Sequence, residues 1–197
     1  MINKITMSGA VSASLENDKV VFKENTIVEV KDKELILYTE GNLCNNISIV
    51  GGSSGIVING SSIIVNGKDI SDLINEASKT DTSKESEGVL EFDLSMYELN
   101  IKKINMSGQS GLNFSEDVSL NKLRKVSLSG QSNITLEQQS IDDLTIGCSG
   151  QSRVSMYNIT LDELDISCSG QSHVSGRKVT YKEIDKHMSG QSRIDIN

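Results

Sequence analysis

The chain of 197 residues contains no proline and no tryptophan, and aromatic residues make up only 4% of it. Proline removes a backbone N–H donor, so a chain that needs most of its N–H groups in sheet ladders has reason to avoid it. The scarcity of aromatic side chains argues against one large globular core. Repeat proteins do not need such a core, because each repeat buries the apolar face of the next. These absences favour a β-rich repeat architecture.

The chain also lacks a basic excess and long apolar runs. It has 19 basic and 27 acidic residues, for a formal net charge of −8. Nucleic acid binding needs a basic face, so nucleic acid is not an expected partner. No stretch approaches the roughly 18 consecutive apolar residues of a membrane helix, so membrane insertion is not expected. The N-terminus lacks the features of a secretory signal, which predicts a cytoplasmic location or one within a particle such as a virion.

Cysteine is rare, with Cys44, Cys148 and Cys168 as its three occurrences. An odd and small number does not indicate a disulfide framework. Cys148 and Cys168 hold the same repeat position, so we expect stacked, buried thiols on adjacent layers. Two cysteines without a matching histidine make a poor zinc site, and no phosphate-binding glycine motif occurs. We therefore expect no metal and no cofactor.

What the chain does contain is the tetrapeptide Ser-Gly-Gln-Ser, five times over. The copies begin at Ser107, Ser129, Ser149, Ser169 and Ser189, at intervals of 22, 20, 20 and 20 residues. A fixed period of about 20 to 50 residues is typical of solenoids. Leucine-rich repeats share this period, but their asparagine-containing signature and helical segment are missing. The sequence therefore predicts an all-β protein, a parallel β-helix with rungs of about 20 residues.

Apolar residues flank each block at alternate positions, which places them on one face of a strand. One repeat shows the pattern most clearly, at Leu144, Ile146 and Cys148, then Val154 and Met156, then Ile159 and Leu161. Three short strands separated by bends therefore complete a rung. The copies before Ser107 and Ser129 carry one extra residue, which a β-bulge can absorb.

The block itself has a structural interpretation and a functional one. Glycine accepts positive φ at a bend, and the serine hydroxyls can bond the local backbone. The glutamines would stack about 4.8 Å apart and bond one another as a ladder. Structural support is the favoured role, and a flat surface that binds carbohydrate hydroxyls is the alternative. The column consists of Gln109, Gln131, Gln151, Gln171 and Gln191.

Two further groups of charged residues recur at fixed repeat positions. Arg153, His173 and Arg193 share one position and form a candidate basic stripe for an acidic glycan or a partner's carboxylates, although ordinary surface residues are the favoured interpretation. Acidic residues recur at a bend, where a solvated edge that blocks aggregation is favoured over a glycan-cleaving site. These are Asp142, Asp143, Asp162, Glu163 and Glu183. We predict no catalytic residues and no enzymatic activity.

Composition divides the chain into three regions. We expect a β-rich region with degenerate rungs over residues 1–68, a short helix capped by Asp69 and a flexible polar linker over residues 69–88, and the repeat solenoid over residues 89–197. The first region contains residues 5–10, which echo residues 104–109. A short irregular or helical insertion therefore interrupts the predicted β-helix.

The repeat unit of residues 161–174, LDELDISCSGQSHV, resembles the rungs of the auto-transporter adhesin head domain, called the GIN domain. Members of that family repeat a similar strand, a Ser-Gly-Ser-like bend and a second strand. The resemblance is clear over residues 90–197 and weaker over residues 1–66. It implies a right-handed β-helix and a non-catalytic role.

Two functions follow as hypotheses. The first is a structural scaffold that assembles with copies of itself or with other proteins, including as a component of a larger particle such as a virion. Its physical motive is the strand from Arg193, because an uncovered rung end is a template for strand pairing. The second is an adhesin-like module that binds carbohydrate or protein.

Overall fold

A computed structural model describes residues 1–16, 18–23, 26–39, 56–59, 62–65, 68–69, 89–115 and 117–196. These residues form strands, bends and turns, with no helix among them. The strands are β1 (Ile2–Ser8), β2 (Ser12–Leu15), β3 (Lys19–Lys23), β4 (Thr26–Lys31), β5 (Glu34–Thr39), β6 (Ile56–Asn59), β7 (Ser62–Val65), β8 (Lys68–Asp69), β9 (Val89–Asp93), β10 (Leu99–Met106), β11 (Gly111–Phe114), β12 (Lys125–Leu128), β13 (Asn133–Glu137), β14 (Ser140–Cys148), β15 (Arg153–Cys168), β16 (His173–Thr180), β17 (Glu183–Met188) and β18 (Arg193–Ile196).

The repeat region is a parallel β-solenoid, as predicted. Strands that precede the blocks stack in the order β1, β10, β12, β14, the end of β15 and β17, and we call this surface the pre-block face. Strands that follow the blocks stack as β2, β11, β13, the start of β15, β16 and β18. Equivalent residues of consecutive rungs are therefore hydrogen-bonded neighbours.

One rung shows how the alternation builds three sides. Within β15 buried residues alternate with exposed or half-buried ones, and exposed pairs at residues 157–158 and 162–163 interrupt the pattern. Each pair is a corner, and the Ser-Gly-Gln-Ser block is the third. The strand continues through both pairs as one element of 16 residues, whereas the sequence predicted three separate strands. Asn158, with φ of 54°, turns the first corner while parallel neighbours keep the ladder in place.

A single apolar core runs through all rungs. Its columns contain equivalent residues, as at Ile104, Val126, Ile146 and Ile166, each 0% exposed. Burial of one such side chain contributes roughly 1.5–3 kcal/mol. Cys148 and Cys168 stack in the same way as free, buried thiols, as predicted.

The N-terminal region continues the same solenoid. Strand β1 pairs in parallel with β10, with Ile5 opposite Ile104 and Met7 opposite Met106, so residues 5–10 form the expected degenerate rung. A register irregularity occurs in this pairing, between Ile2 and Lys4. The bulge predicted before Ser107 and Ser129 does not appear in the β10–β12 and β12–β14 pairings, whose paired residues are in regular register. Next to the degenerate rung, β5 still pairs with β1 in parallel. Antiparallel pairing follows in β4–β5 and in β2–β3–β9.

A separate three-stranded antiparallel sheet contains β6, β7 and β8. In sequence, Asn-Gly pairs at residues 59–60 and 66–67 flank β7 and predict tight turns, but Gly60, Asn66 and Gly67 lie outside the described residues. Asp69, the expected helix cap, is the last residue of β8. The rest of the predicted helix, the linker and Cys44 lie outside the described residues, and the domain boundaries stay a prediction.

Candidate binding surfaces

Glycine in each block is required by the way the corners stack. Six glycines, one per rung, have φ between 71° and 86°, and they include Gly9 of the degenerate rung. A Cβ on Gly150 would lie 2.7 Å from the carbonyl oxygen of Gly130. That carbonyl accepts a 2.7 Å hydrogen bond from the backbone N–H of Gln151. The glycine column therefore permits both the turn and the close stacking of backbones.

In four of the five blocks the hydroxyl of the last serine donates to the carbonyl oxygen of the first serine, and the buried Ser152 is the exception. Ser132 is 1% exposed, and its Oγ donates to the carbonyl oxygen of Ser129 at 2.8 Å. Ser172 repeats this bond to Ser169 at 2.9 Å. Because burial of an unbonded hydroxyl is costly, these bonds explain why a polar residue occupies a buried position.

The glutamine column forms the predicted ladder along an exposed edge. Gln131 Nε2 donates to Gln151 Oε1 at 3.1 Å, Gln151 donates likewise to Gln171 at 3.1 Å, and Gln171 donates to Gln191 at 3.3 Å. Gln109 is exposed at the same corner, one rung earlier. A primary amide has two N–H donors and two acceptor sites, so one ladder bond in each direction leaves capacity for an external ligand.

The candidate basic stripe is aligned but partly neutralised. Arg153, His173 and Arg193 are neighbours in register on the post-block strands. Asp195 Oδ2 lies 3.0 Å from His173 Nε2 and 2.5 Å from Arg193 Nε. The hydrogen bond from Arg193, with a further one from His173, lowers the pKa of Asp195. The i, i+2 spacing of Arg193 and Asp195 could have identified this acid, because such residues share a strand face.

The acidic bend is a solvated edge, as predicted. All five of its carboxylates are exposed. Asp142 Oδ2 binds Arg124 Nη2 at 2.8 Å, and Asp162 Oδ1 binds Lys182 Nζ at 2.8 Å. Exposed pairs of this kind contribute little to stability but keep the edge charged.

A feature missed in the sequence lies on the pre-block face. One outward-facing residue from each strand of this face lies in register with the next, and we call this row the lysine–aspartate column. Its charge changes from basic at β1 to acidic at β17. Beside it runs a shallow groove of roughly 460 Å³, lined mainly by small residues such as Ser127, Gly147 and Ser167. The column is visible only after the strands are aligned in register. It consists of Lys4, Lys103, Lys125, Thr145, Asp165 and Asp185.

The described residues contain no group of three or more histidine, cysteine or acidic side chains that could hold a metal ion. They also include no helix long and apolar enough to cross a membrane. Burial raises the pKa of Cys148 to about 12 and also raises that of Cys168, so both thiols are protonated at neutral pH.

A family model described as "Putative auto-transporter adhesin, head GIN domain" matches residues 4–197. The chain belongs to the GIN domain family. The match includes the degenerate rung at β1 as well as the five Ser-Gly-Gln-Ser rungs, in agreement with the continuous parallel ladder between them. No curated protein and no solved structure matches this GIN domain significantly.

Proposed function

We propose that this GIN domain is a non-catalytic scaffold, a stiff solenoid that presents a repetitive surface and associates with copies of itself. The observation that carries the proposal is the unbroken lateral bonding of the rungs. Backbone ladders join β1 through β17 on the pre-block face, and the glutamine ladder adds side-chain bonds at a corner. Such a surface moves as a unit, which suits it to assembly.

Exposed apolar side chains in the last described rung support self-association. Met188 is 57% exposed, whereas Cys168, its neighbour in the same column, is 3% exposed. Ile194 and Ile196 of β18 are only partly buried against the core. Within the described residues β17 and β18 pair on one side only, so each offers free backbone groups to another strand.

Light scattering of the purified protein tests self-association directly. The proposal predicts oligomers whose mass rises with concentration and falls when Ile194→Asp is introduced at the exposed rung. Ile194→Val is the matched control, because it keeps an apolar side chain at the same place and should leave the oligomers intact. A monodisperse monomer at every concentration contradicts the proposal.

Adhesin-like binding of carbohydrate or protein is the second candidate, favoured by the exposed glutamine ladder and its unused amide capacity. A glycan array tests it with the triple variant Gln131→Ala, Gln151→Ala and Gln171→Ala. Binding by the wild type and its loss in the folded variant support this function, and equal binding by both contradicts it. A role within a virion stays a prediction from the sequence.

A further inference from the structure

The lysine–aspartate column has an order that the core does not require. Counted along the solenoid from β1 to β17, its residues are basic in the first three strands and acidic in the last two, with Thr145 of β14 between them. Lys103, Lys125, Asp165 and Asp185 are exposed. Strand β5 continues the sheet beyond β1, and its Glu34, in register with Lys4, binds Lys4 at 2.9 Å. Folding does not require solvent-exposed charges of one sign to be grouped together. Their separation along the solenoid axis therefore suggests a binding partner with the complementary charge order.

About a line between β12 and β14, the two outer pairs of strands carry opposite charges, and the central pair carries Lys125 and the neutral Thr145. A twofold axis along this line, parallel to the strands, exchanges β12 with β14, β10 with β15 and β1 with β17. Two copies related by this axis would place Lys103 opposite Asp165, and Lys4 opposite Asp185. Positions along each strand are unchanged by the rotation, so every column of the face meets its own counterpart.

The rest of the face allows close approach of two copies. The column next to the charged one contains Thr6, Asn105, Ser127, Gly147, Ser167 and His187 in register. At its centre Ser127 would face Gly147 of the second copy. Two sheets packed face to face stand about 10 Å apart, and small residues at the centre leave room for lysine side chains to reach carboxylates across the interface.

The adjacent corner has the same polarity, apart from Lys182, which binds Asp162. Lys102 is exposed and Arg124 is half-buried beside the basic half, and Asp143 and Glu163 are exposed beside the acidic half. Arg124 already binds Asp142 within the chain. The corner therefore contributes mainly to the electrostatic field of the face, and less to ion pairs between the two copies. Charge complementarity of this kind raises association rates and sets the register of a complex.

We propose that the pre-block face binds a second copy of this chain in antiparallel orientation, with each basic half on the partner's acidic half. The proposal rests on the self-association proposed above and names its lateral surface. An unrelated charged protein could match one half, but a second copy matches both halves at the spacing of the rungs. Six strands and about four residues per strand give roughly 400 Å² per copy, about half of a standard interface. We therefore expect a weak dimer that salt dissociates.

Two charge-reversal variants test the surface. The acidic variant carries Lys103→Glu and Lys125→Glu, and the basic variant carries Asp165→Lys and Asp185→Lys. Each variant alone should lose the low-salt dimer in sedimentation velocity, because like charges then meet across the axis. An equimolar mixture should form a heterodimer, since a face that is acidic except at Lys4 then meets a uniformly basic face. Lys23→Glu with Arg177→Glu, a reversal of equal size away from this face, should leave the dimer unchanged.

The outcomes separate this surface from the proposed function. Loss of the dimer in both variants, with recovery in the mixture, supports the antiparallel pairing. With Ile194→Asp present to remove association through the exposed rung, a dimer that persists in both variants overturns the surface but leaves self-association intact. Loss without recovery in the mixture, while circular dichroism shows both variants folded, also overturns the pairing. A wild type that stays monomeric at low salt overturns the surface and the proposed self-association together.

Discussion

Two glycines three residues apart experience opposite constraints. Gly150 turns the corner at φ of 72°, and its neighbour in the previous rung leaves no space for a Cβ. Gly147 lies on the pre-block face with nothing within 4 Å of a Cβ placed on it. The requirement for glycine therefore comes from the position in the rung.

We predict that Gly150→Ala lowers the free energy of unfolding by at least about 1–2 kcal/mol, from the left-handed backbone conformation alone. The contact with the Gly130 carbonyl adds to this loss. Gly147→Ala should be neutral or slightly stabilising, because glycine weakens a strand interior. Urea unfolding of both variants makes the comparison, and an equal loss in the two would contradict the assigned role of the corner.

Thiol ionisation should give the protein a distinctive pH dependence. An unfolded cysteine loses its proton near pH 8.5, whereas burial holds the pKa of Cys148 at about 12. Between these values the unfolded state binds fewer protons than the folded state, so stability falls as pH rises.

The variant Cys148→Ala with Cys168→Ala removes this contribution. We expect the wild type to lose more thermal stability than the variant between about pH 8 and about pH 11, across the ordinary thiol pKa. Differential scanning calorimetry of both proteins at each pH provides the measurement. The cavity left by the two substitutions lowers the stability of the variant by a constant amount, so only the change with pH is compared. Parallel pH profiles would show that the thiols are not protected by burial.

At the scale of elements, two glutamine interactions differ in what they support. The ladder of Gln131, Gln151 and Gln171 lies at an exposed corner, and its members bond one another. Gln139 bonds the backbone instead: its Oε1 accepts from the Leu120 N–H at 2.8 Å and its Nε2 donates to the Val118 carbonyl at 3.1 Å. Residues 118–120 form no strand, so this side chain supplies bonds that a ladder supplies in later rungs.

We predict that Gln139→Ala destabilises the fold more than Gln151→Ala, although both remove two hydrogen bonds of one amide. Truncation of Gln139 leaves backbone groups without partners, at about 1–3 kcal/mol for a buried group, whereas water replaces the exposed ladder partners at no more than about 1 kcal/mol. Urea unfolding of the two variants decides the order. The reverse order would mean that the glutamine ladder is the main support of the corners.

These elements show which parts of the fold were predictable from sequence. The repeat is nearly exact, so the sequence revealed the period of the rungs and the register of their strands. The five blocks, the alternation around them and the glutamine stacking were therefore predictable. Positive φ at Gln138, Asn158 and Lys178 was not, because no glycine marks those corners. The role of Gln139 was also hidden, since a side chain that replaces a strand partner has no periodic signal.

At the scale of the whole molecule, the hairpin β4–β5 was harder to predict than the rungs it extends. Asp32 and Lys33 form its two-residue turn, both with positive φ, where Asn-Gly or Asp-Gly is the usual signal. The lysine–aspartate column was equally hidden. Its members are ordinary surface charges in sequence, and only the stacking of rungs brings them into line.

Both the scaffold function and the lateral pairing require this GIN domain to associate with copies of itself. Multi-angle light scattering across a wide concentration range, at low and at high salt, tests this association most directly. We expect a mass that rises above the 21.4 kDa of one chain as concentration increases. The part of this rise that comes from the charged lateral face should be lost at high salt. A mass of 21.4 kDa at every protein and salt concentration would contradict self-association.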